Sequence, residues 1–332
     1  MSKFFKNLFW FFLSPLILIS VFVYIFIERD PYMDFKTYKN YSWTYNFQSL
    51  GDLSTKKLLQ SHTRYNSFVF GSSRAGATYA CYLQSKIPNS QFFHYANFRE
   101  TIGGIYQRMR LLDSLGYHLD NVLVWLETDN SFSNAGRPKI NDHYLINGES
   151  KGMYYYNQFR FIFSDLNAFK ILLGYHVEGE PNWTSDPITN DGHICSEKTI
   201  KSFGDTAMAP KERAMFIASK KNGGVFYKRP ATQQYLKDQI LPYDKLVMER
   251  MKALFDKYHT NYYMIIAPVY DQLKFSPNDM QILRNIFGNR VYDFSGKNAM
   301  TQLDSNYPDG VHFRHYIAKE VIDSVLNLTK RH

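Results

Sequence analysis

Between Lys6 and Glu28 the chain carries no charge, and from Leu8 to Ile27 it is almost wholly Leu, Ile, Phe, Val, Trp and Tyr. A stretch this apolar has one stable form in lipid, a helix whose backbone groups bond to one another. At this length the helix rises ~30 Å, the thickness of a bilayer's hydrocarbon core. Pro15 is tolerated inside such a helix. Lys3 and Lys6 precede the run and Glu28, Arg29 and Asp30 follow it. By the positive-inside tendency the N-terminus is expected in the cytoplasm and the rest of the chain outside it. A cleaved signal peptide is the competing reading, but the run exceeds a usual h-region and no small-x-small site follows. Residues 1–30 are therefore read as a cytoplasmic stub and single-pass anchor, 31–60 as a juxtamembrane segment, Tyr-rich from Tyr32 to Phe47, and 61–332 as the main domain.

The ~300 residues beyond the anchor suffice for one large α/β domain with an insertion, or for two domains. With 26 Tyr and 27 Phe, they can build a substantial core and still present aromatic faces to sugar rings. The formal charge of +9 is spread out, without a run of five basic residues. Given the expected export, it favours anionic membrane surfaces or acidic glycans, and no nucleic acid partner is expected. Cys81 and Cys195 are the only cysteines; one bridge and two free thiols both remain open.

Five short apolar runs bounded by Gly, Pro, Asn or Asp read as strands covered on both faces: Ser67–Phe70, Phe92–Ala96, Val122–Glu127, Tyr262–Ala267 and Val291–Phe294. Stripes at helical spacing lie between and after them. One is Ile105, Met109, Leu112 and Leu115, with Gly116 as a stop. The others are Val247, Met251, Leu254, Phe255 and Tyr258, and Ile317, Val321, Val325 and Leu328. The alternation predicts a five-stranded parallel sheet with helices on both faces. A long excursion, about 130–241, leaves after the third strand, where open α/β sheets bind ligands. It contains helical patterns around Asn157–Leu173, Lys211–Lys220 and Thr232–Gln239, and an irregular polar patch around Glu178–Glu197.

Chemistry-bearing residues stand at the two ends of this pattern. Gly71-Ser72-Ser73 follows the first strand, so a glycine turns the chain and a serine projects above the sheet. Asp309-x-x-His312 precedes the last helix. There a carboxylate can hold one ring nitrogen and leave the other facing a hydroxyl. Each motif alone is common in ordinary loops; the weight lies in the pair, both expected at the carboxyl edge of one sheet.

This order and placement resemble the SGNH (GDSL-like) hydrolase superfamily. The closer resemblance is to its membrane-anchored cell-envelope members, the alginate O-acetylation proteins and the teichoic acid D-alanyl transfer protein. Tyr292-Asp293-Phe294-Ser295 looks like the strand end that precedes the Asp-x-x-His block in anchored members. The resemblance spans the strand segments and the two ends but not the excursion. It implies a flavodoxin-like three-layer sandwich, with Ser73 as nucleophile (Ser72 the runner-up), Asp309 and His312 as its partners, and an oxyanion hole of the Ser73 N–H, Gly103 and Asn130. Two departures stand out. The second block offers only Gly103-Gly104 after Asn97. The third reads Glu127-Thr128-Asp129-Asn130, without the family's glycine, so Asn130 is either the side-chain donor or a polar loop residue.

The resemblance further implies a membrane-anchored extracytoplasmic (periplasmic or cell-surface) serine esterase or O-acyltransferase. Its substrate would be an acylated envelope glycan and its partner a multi-pass membrane O-acyltransferase. A catalytically inactive glycan-binding or assembly protein of the same fold is the alternative. No cofactor and no metal is expected. His312-x-x-His315 and the Asp191–Cys195 stretch lack further ligands nearby in sequence. Gly71-x-Ser73-x-x-Gly76 lacks the middle glycine of a dinucleotide loop.

Overall fold

Five parallel strands, β1 (Ser67–Gly71), β2 (Phe92–Ala96), β3 (Asn121–Leu126), β4 (Asn261–Ile266) and β5 (Val291–Asp293), form one sheet in the order 2-1-3-4-5. The computed structural model of the chain describes residues 2–38, 42–43, 49–128, 130–132, 142–175, 183–208, 210–221 and 226–329. Parts of the Tyr-rich stretch, of the polar patch and of the excursion's first residues lie outside those described. The helices of seven or more residues are α1 (Ser2–Arg29), α2 (Leu50–Gln60), α3 (Ala80–Lys86), α4 (Ile102–Ser114), α5 (Lys151–Ser164), α6 (Leu166–Leu172), α7 (Pro210–Lys221), α8 (Pro242–Tyr258), α9 (Pro277–Phe287) and α10 (His315–Thr329).

Side chains alternate across each strand, and both faces are covered. Phe68, Phe70, Val122, Val124 and Met264 meet α2, α4, α8 and α9. Val69, Leu123, Trp125 and Ile265 meet α3 and α10 on the other face. The stripe expected on α4 is buried through Ile105, Met109 and Leu112, whereas Leu115 caps the helix and is exposed. Gly116 follows it at φ +76°, the left-handed stop that lacks a Cβ penalty. Within the stretch read as juxtamembrane, α2 packs Leu58 into the sheet's own core.

The excursion departs from the sequence reading at two places. The helix expected around Asn157–Leu173 is two helices, because the Asp165 carboxylate accepts the Ala168 N–H (2.9 Å) and starts α6 afresh. The segment Thr232–Gln239, expected to be helical, is extended. Gln234–Tyr235 pairs with Leu273–Lys274, and Asp279 accepts the Gln239 and Ile240 N–H groups. Tertiary partners there satisfy the backbone better than a short helix would.

A strap from the excursion covers the exposed edge of β2. The His94 N–H donates to the Thr189 carbonyl (2.8 Å), Asn190 donates back to the His94 carbonyl (2.8 Å), and Asp191 accepts the first N–H of α3 at Ala80. The Cys81–Cys195 disulfide closes the strap, its Cα atoms 6.0 Å apart. Replacing both cysteines by serine is expected to cost about 2–4 kcal/mol, read as a lower urea midpoint.

α1 is long and apolar enough to cross a membrane, with a mean hydropathy of 2.4. The chain turns immediately after it. Asp30, at φ +46°, accepts the N–H groups of Asp34, Phe35 and Lys36. The buried Lys56 of α2 then pairs with Asp34 (2.9 Å) and Asp52 (2.8 Å), and Tyr154 of α5 donates to Asp52 (2.7 Å). Two carboxylates share one ammonium here, and burial pushes Asp34 up to about 6 despite the lysine. The stem is thus tied to both the sheet domain and the excursion.

Candidate functional site

β1 ends at Gly71, where a side chain would meet Ala75 and Trp125, so only glycine lets the chain turn this closely over the sheet. A 3-10 turn, Ser73–Ala77, follows. Ser72 and Ser73 then part company. The Ser72 hydroxyl is 3% exposed and donates to Glu127, while its oxygen accepts the Arg74 N–H (3.3 Å). The Ser73 hydroxyl lies 2.9 Å from His312 Nε2. Its own backbone N–H opens the turn and donates to no group among the described residues.

On the far side of the sheet's carboxyl rim, the loop after β5 wraps around Asp309. Its Oδ1 accepts the Val311 (2.9 Å) and His312 (2.8 Å) N–H groups, and its Oδ2 lies 2.7 Å from His312 Nδ1. Burial alone would raise the Asp309 carboxyl. The hydrogen bonds from the His312 ring and N–H, with the ring's charge and the Val311 N–H, outweigh it and pull it down to about 2. Residues 239 apart in sequence thus form one chain of hydrogen bonds, carboxylate to ring to hydroxyl. With Nδ1–H held by the carboxylate, Nε2 is the free base and can take a proton from the hydroxyl. Ser73, Asp309 and His312 are all partly exposed.

Arg74 and Glu127 join this site, and their sequence neighbourhood gave only half the signal. Glu127 follows β3, and its carboxylate pairs with Arg74 Nη1 (2.9 Å) while accepting the Ser72 hydroxyl. Arg74 Nε donates to the Val311 carbonyl (2.8 Å), in the loop that carries His312. Both side chains are buried, at 7% and 4% exposure. An arginine beside the serine was visible in the sequence; a buried one demands a carboxylate, which could have pointed to the charged end of β3.

The other residues singled out from sequence sit as follows. Gly103 occupies the buried first turn of α4, between the Ile102 N–H, which donates to the Ser131 carbonyl, and the Gly104 N–H, which donates to Thr101 Oγ1. Asn130 directs its amide to the Glu100 carbonyl (3.2 Å). Asn97 closes β2 by donating its N–H to the Gly71 carbonyl and accepting those of Gly51 and Phe98. His315 begins α10 with its ring stacked near Tyr79. Cys81, Asp191 and Cys195 lie close enough to surround an ion, but the two sulfurs are joined to each other.

Beside the loop opens a cleft of about 850 Å³ whose walls include Tyr227, Arg229, Tyr270, Lys297 and Asp304. Tyr270 packs on Tyr307, just before Asp309, with ring centroids 5.4 Å apart. Arg229 lies over the Tyr270 ring and holds the carbonyls of Thr301 (2.6 Å) and Gln302 (2.7 Å). The chain matches no known family model, and no curated protein matches it.

Proposed function

We propose that this chain is a membrane-anchored serine esterase or O-acyltransferase that acts on acyl esters of an envelope polysaccharide. The observation that carries the reading is the hydrogen-bonded sequence Asp309–His312–Ser73 at 2.7 and 2.9 Å. Ser73 Oγ attacks the ester carbonyl carbon as His312 Nε2 takes its proton, and Asp309 holds the resulting imidazolium. The imidazolium returns the proton to the leaving alkoxide, which leaves an acyl-serine. Water then gives hydrolysis, and a sugar hydroxyl gives transfer. The Ser73 N–H, Gly103 N–H and Asn130 are the proposed donors to the oxyanion.

The sheet order is one of the two common doubly wound arrangements, which suits the flavodoxin-like SGNH fold implied by the sequence resemblance. In this reading the N-terminus is cytoplasmic and the domain extracytoplasmic. The Cys81–Cys195 disulfide supports an oxidising compartment. Tyr227, Lys297 and Lys228 give the neighbouring cleft aromatic and basic walls, a chemistry suited to a glycan with acidic groups. A multi-pass membrane O-acyltransferase is the proposed partner, from the resemblance. One observation favours the alternative, an inactive glycan-binding or assembly protein: the Asn130 amide is turned to the Glu100 carbonyl.

A fluorophosphonate probe on the full-length protein in detergent separates the two. Covalent labelling is expected at Ser73 and is expected to vanish in Ser73→Ala. A wild-type protein that stays unlabelled while correctly folded would rule out the enzyme and leave the binding protein.

A further inference from the structure

The contact between α1 and the excursion sets the excursion's height against a bilayer. Among the apolar residues of α1's last turns, Phe22, Ile25 and Phe26 are the ones partly or wholly covered. They are covered by α5 and α6, with Tyr32 and Phe35 of the following turn also against Phe26. Phe26 meets Phe159 at 5.6 Å between ring centroids, and Phe22 meets Phe163 at 5.3 Å and Phe169 at 5.9 Å. Ile162, Ala168 and Leu172 are buried in the same cluster. As α5 advances from Phe159 to Phe163 its partners recede from Phe26 to Phe22, so α5 runs antiparallel to α1, toward the middle of the apolar run. The chain then turns at Asp165, and α6 climbs back until Gly174 lies beside Arg29.

The depth follows from helix geometry. Phe22 lies ~10 Å along the axis from Arg29, inside the run that ends at Ile27. Whatever packs side by side with Phe22 shares its depth. The elbow, Ser164–Leu166, reaches at least that level. Its surface fits that environment: Phe161 and Phe163 are exposed, Leu166 is 69% exposed, and the elbow's one acid, Asp165, is partly buried with its carboxylate on the Ala168 N–H. Water gives no account of such a cluster on a domain with a well-filled core, and lipid does. The exposed charges flanking it, Arg160 and Lys170, sit on long stems that let their heads reach anionic phosphates. Tyr156 and Tyr175, 57% and 65% exposed, have the amphipathic rings found at membrane interfaces.

We propose that α5 and α6 form a hairpin that dips into the leaflet facing the α/β domain, a second membrane contact beside α1. A single helix leaves a domain free to tilt and swivel; a second contact removes that freedom. The stem transmits the constraint, since Lys56 ties α2 to Asp34 and Gly51 of α2 bonds Asn97 at the carboxyl end of β2. The rim that carries Ser73 is thereby held at a fixed height over the bilayer. The inference stands whether or not Ser73 is a nucleophile.

Depth measurement by electron paramagnetic resonance on the full-length protein, in nanodiscs of phosphatidylcholine and phosphatidylglycerol, tests it. Because Cys81 and Cys195 are joined, an added cysteine is the sole free thiol for a nitroxide label. The labelled sites are Leu166→Cys, Leu18→Cys within the anchor, and Leu303→Cys on a loop 57% exposed. The Leu166 label is expected to behave like Leu18, open to molecular oxygen and shielded from a water-soluble nickel complex, with Leu303 the reverse. Nickel access at Leu166 equal to that at Leu303 overturns the proposal. So does shielding from both reagents, which would mean that a second copy covers the elbow. Nickel access at Leu18 would remove the anchor itself, and the hairpin's insertion with it.

Discussion

Asp309→Asn is expected to lower the turnover of p-nitrophenyl acetate by about 10⁴-fold, a loss about 10²-fold smaller than that expected from Ser73→Ala or His312→Ala. The size of the effect comes from the tautomer. The Asp309 carboxylate can only accept, so it selects the ring with hydrogen on Nδ1 and the lone pair on Nε2, 2.9 Å from the Ser73 hydroxyl. An asparagine amide can donate to Nδ1, which moves the proton to Nε2 and leaves no base facing the serine. The side chains are nearly isosteric, and the Val311 and His312 N–H groups still find the amide oxygen, so the loop is expected to keep its shape. Acid cannot mimic the substitution within the working range, because the carboxylate is held at about 2. The losses in the single variants are expected not to add in Ser73→Ala/Asp309→Asn, since the groups act as one unit. An Asp309→Asn protein with near wild-type turnover would show that the carboxylate does not orient the ring.

Much of this geometry was readable because its determinants are local. Asp309 and His312 share one turn, so their spacing alone brings the carboxylate to the ring. The strands were legible because runs such as Phe68-Val69-Phe70 must be covered on both faces, which only a central parallel sheet provides. The meeting of Ser73 with His312 followed from topology only in part: Ser73 stands at the carboxyl end of β1, whereas His312 lies in the long loop between β5 and α10, and β3 and β4 separate the two strands. What was hidden depends on partners distant in sequence. Residues 232–239 are extended because Leu273–Lys274 offers them a ladder. The break at Asp165 is a cap whose signal, an acid before Leu-Asn-Ala, was masked by a continuous apolar stripe. The pairing of Cys81 with Cys195 needed the strap to cross the edge of β2, and that crossing is written in the hydrogen bonds of His94, Thr189 and Asn190 rather than in any spacing. The meeting of Arg74 with Glu127 likewise needed two strand ends to lie side by side.

That buried ion pair is where the second large effect is expected. Glu127→Ala removes the carboxylate that pairs with Arg74 and accepts from Ser72, and leaves a guanidinium at 7% exposure facing the Val311 carbonyl. Breaking a buried ion pair by removing one partner costs about 3–5 kcal/mol, a large share of a domain's stability, so a lower thermal midpoint and poor expression are expected. Stability alone would not reveal whether the pair also serves the site. The double substitution Arg74→Met/Glu127→Leu separates the two roles, because apolar replacements of a buried pair are often neutral. It should recover most of the lost stability. It should not recover fluorophosphonate labelling, since the Arg74 Nε bond to the Val311 carbonyl is what ties the His312 loop to the serine turn. A double variant that is stable and labels at the wild-type rate would make the pair structural only. A stable variant that labels slowly would show that the Arg74–Glu127 pair helps hold imidazole and hydroxyl at their working separation.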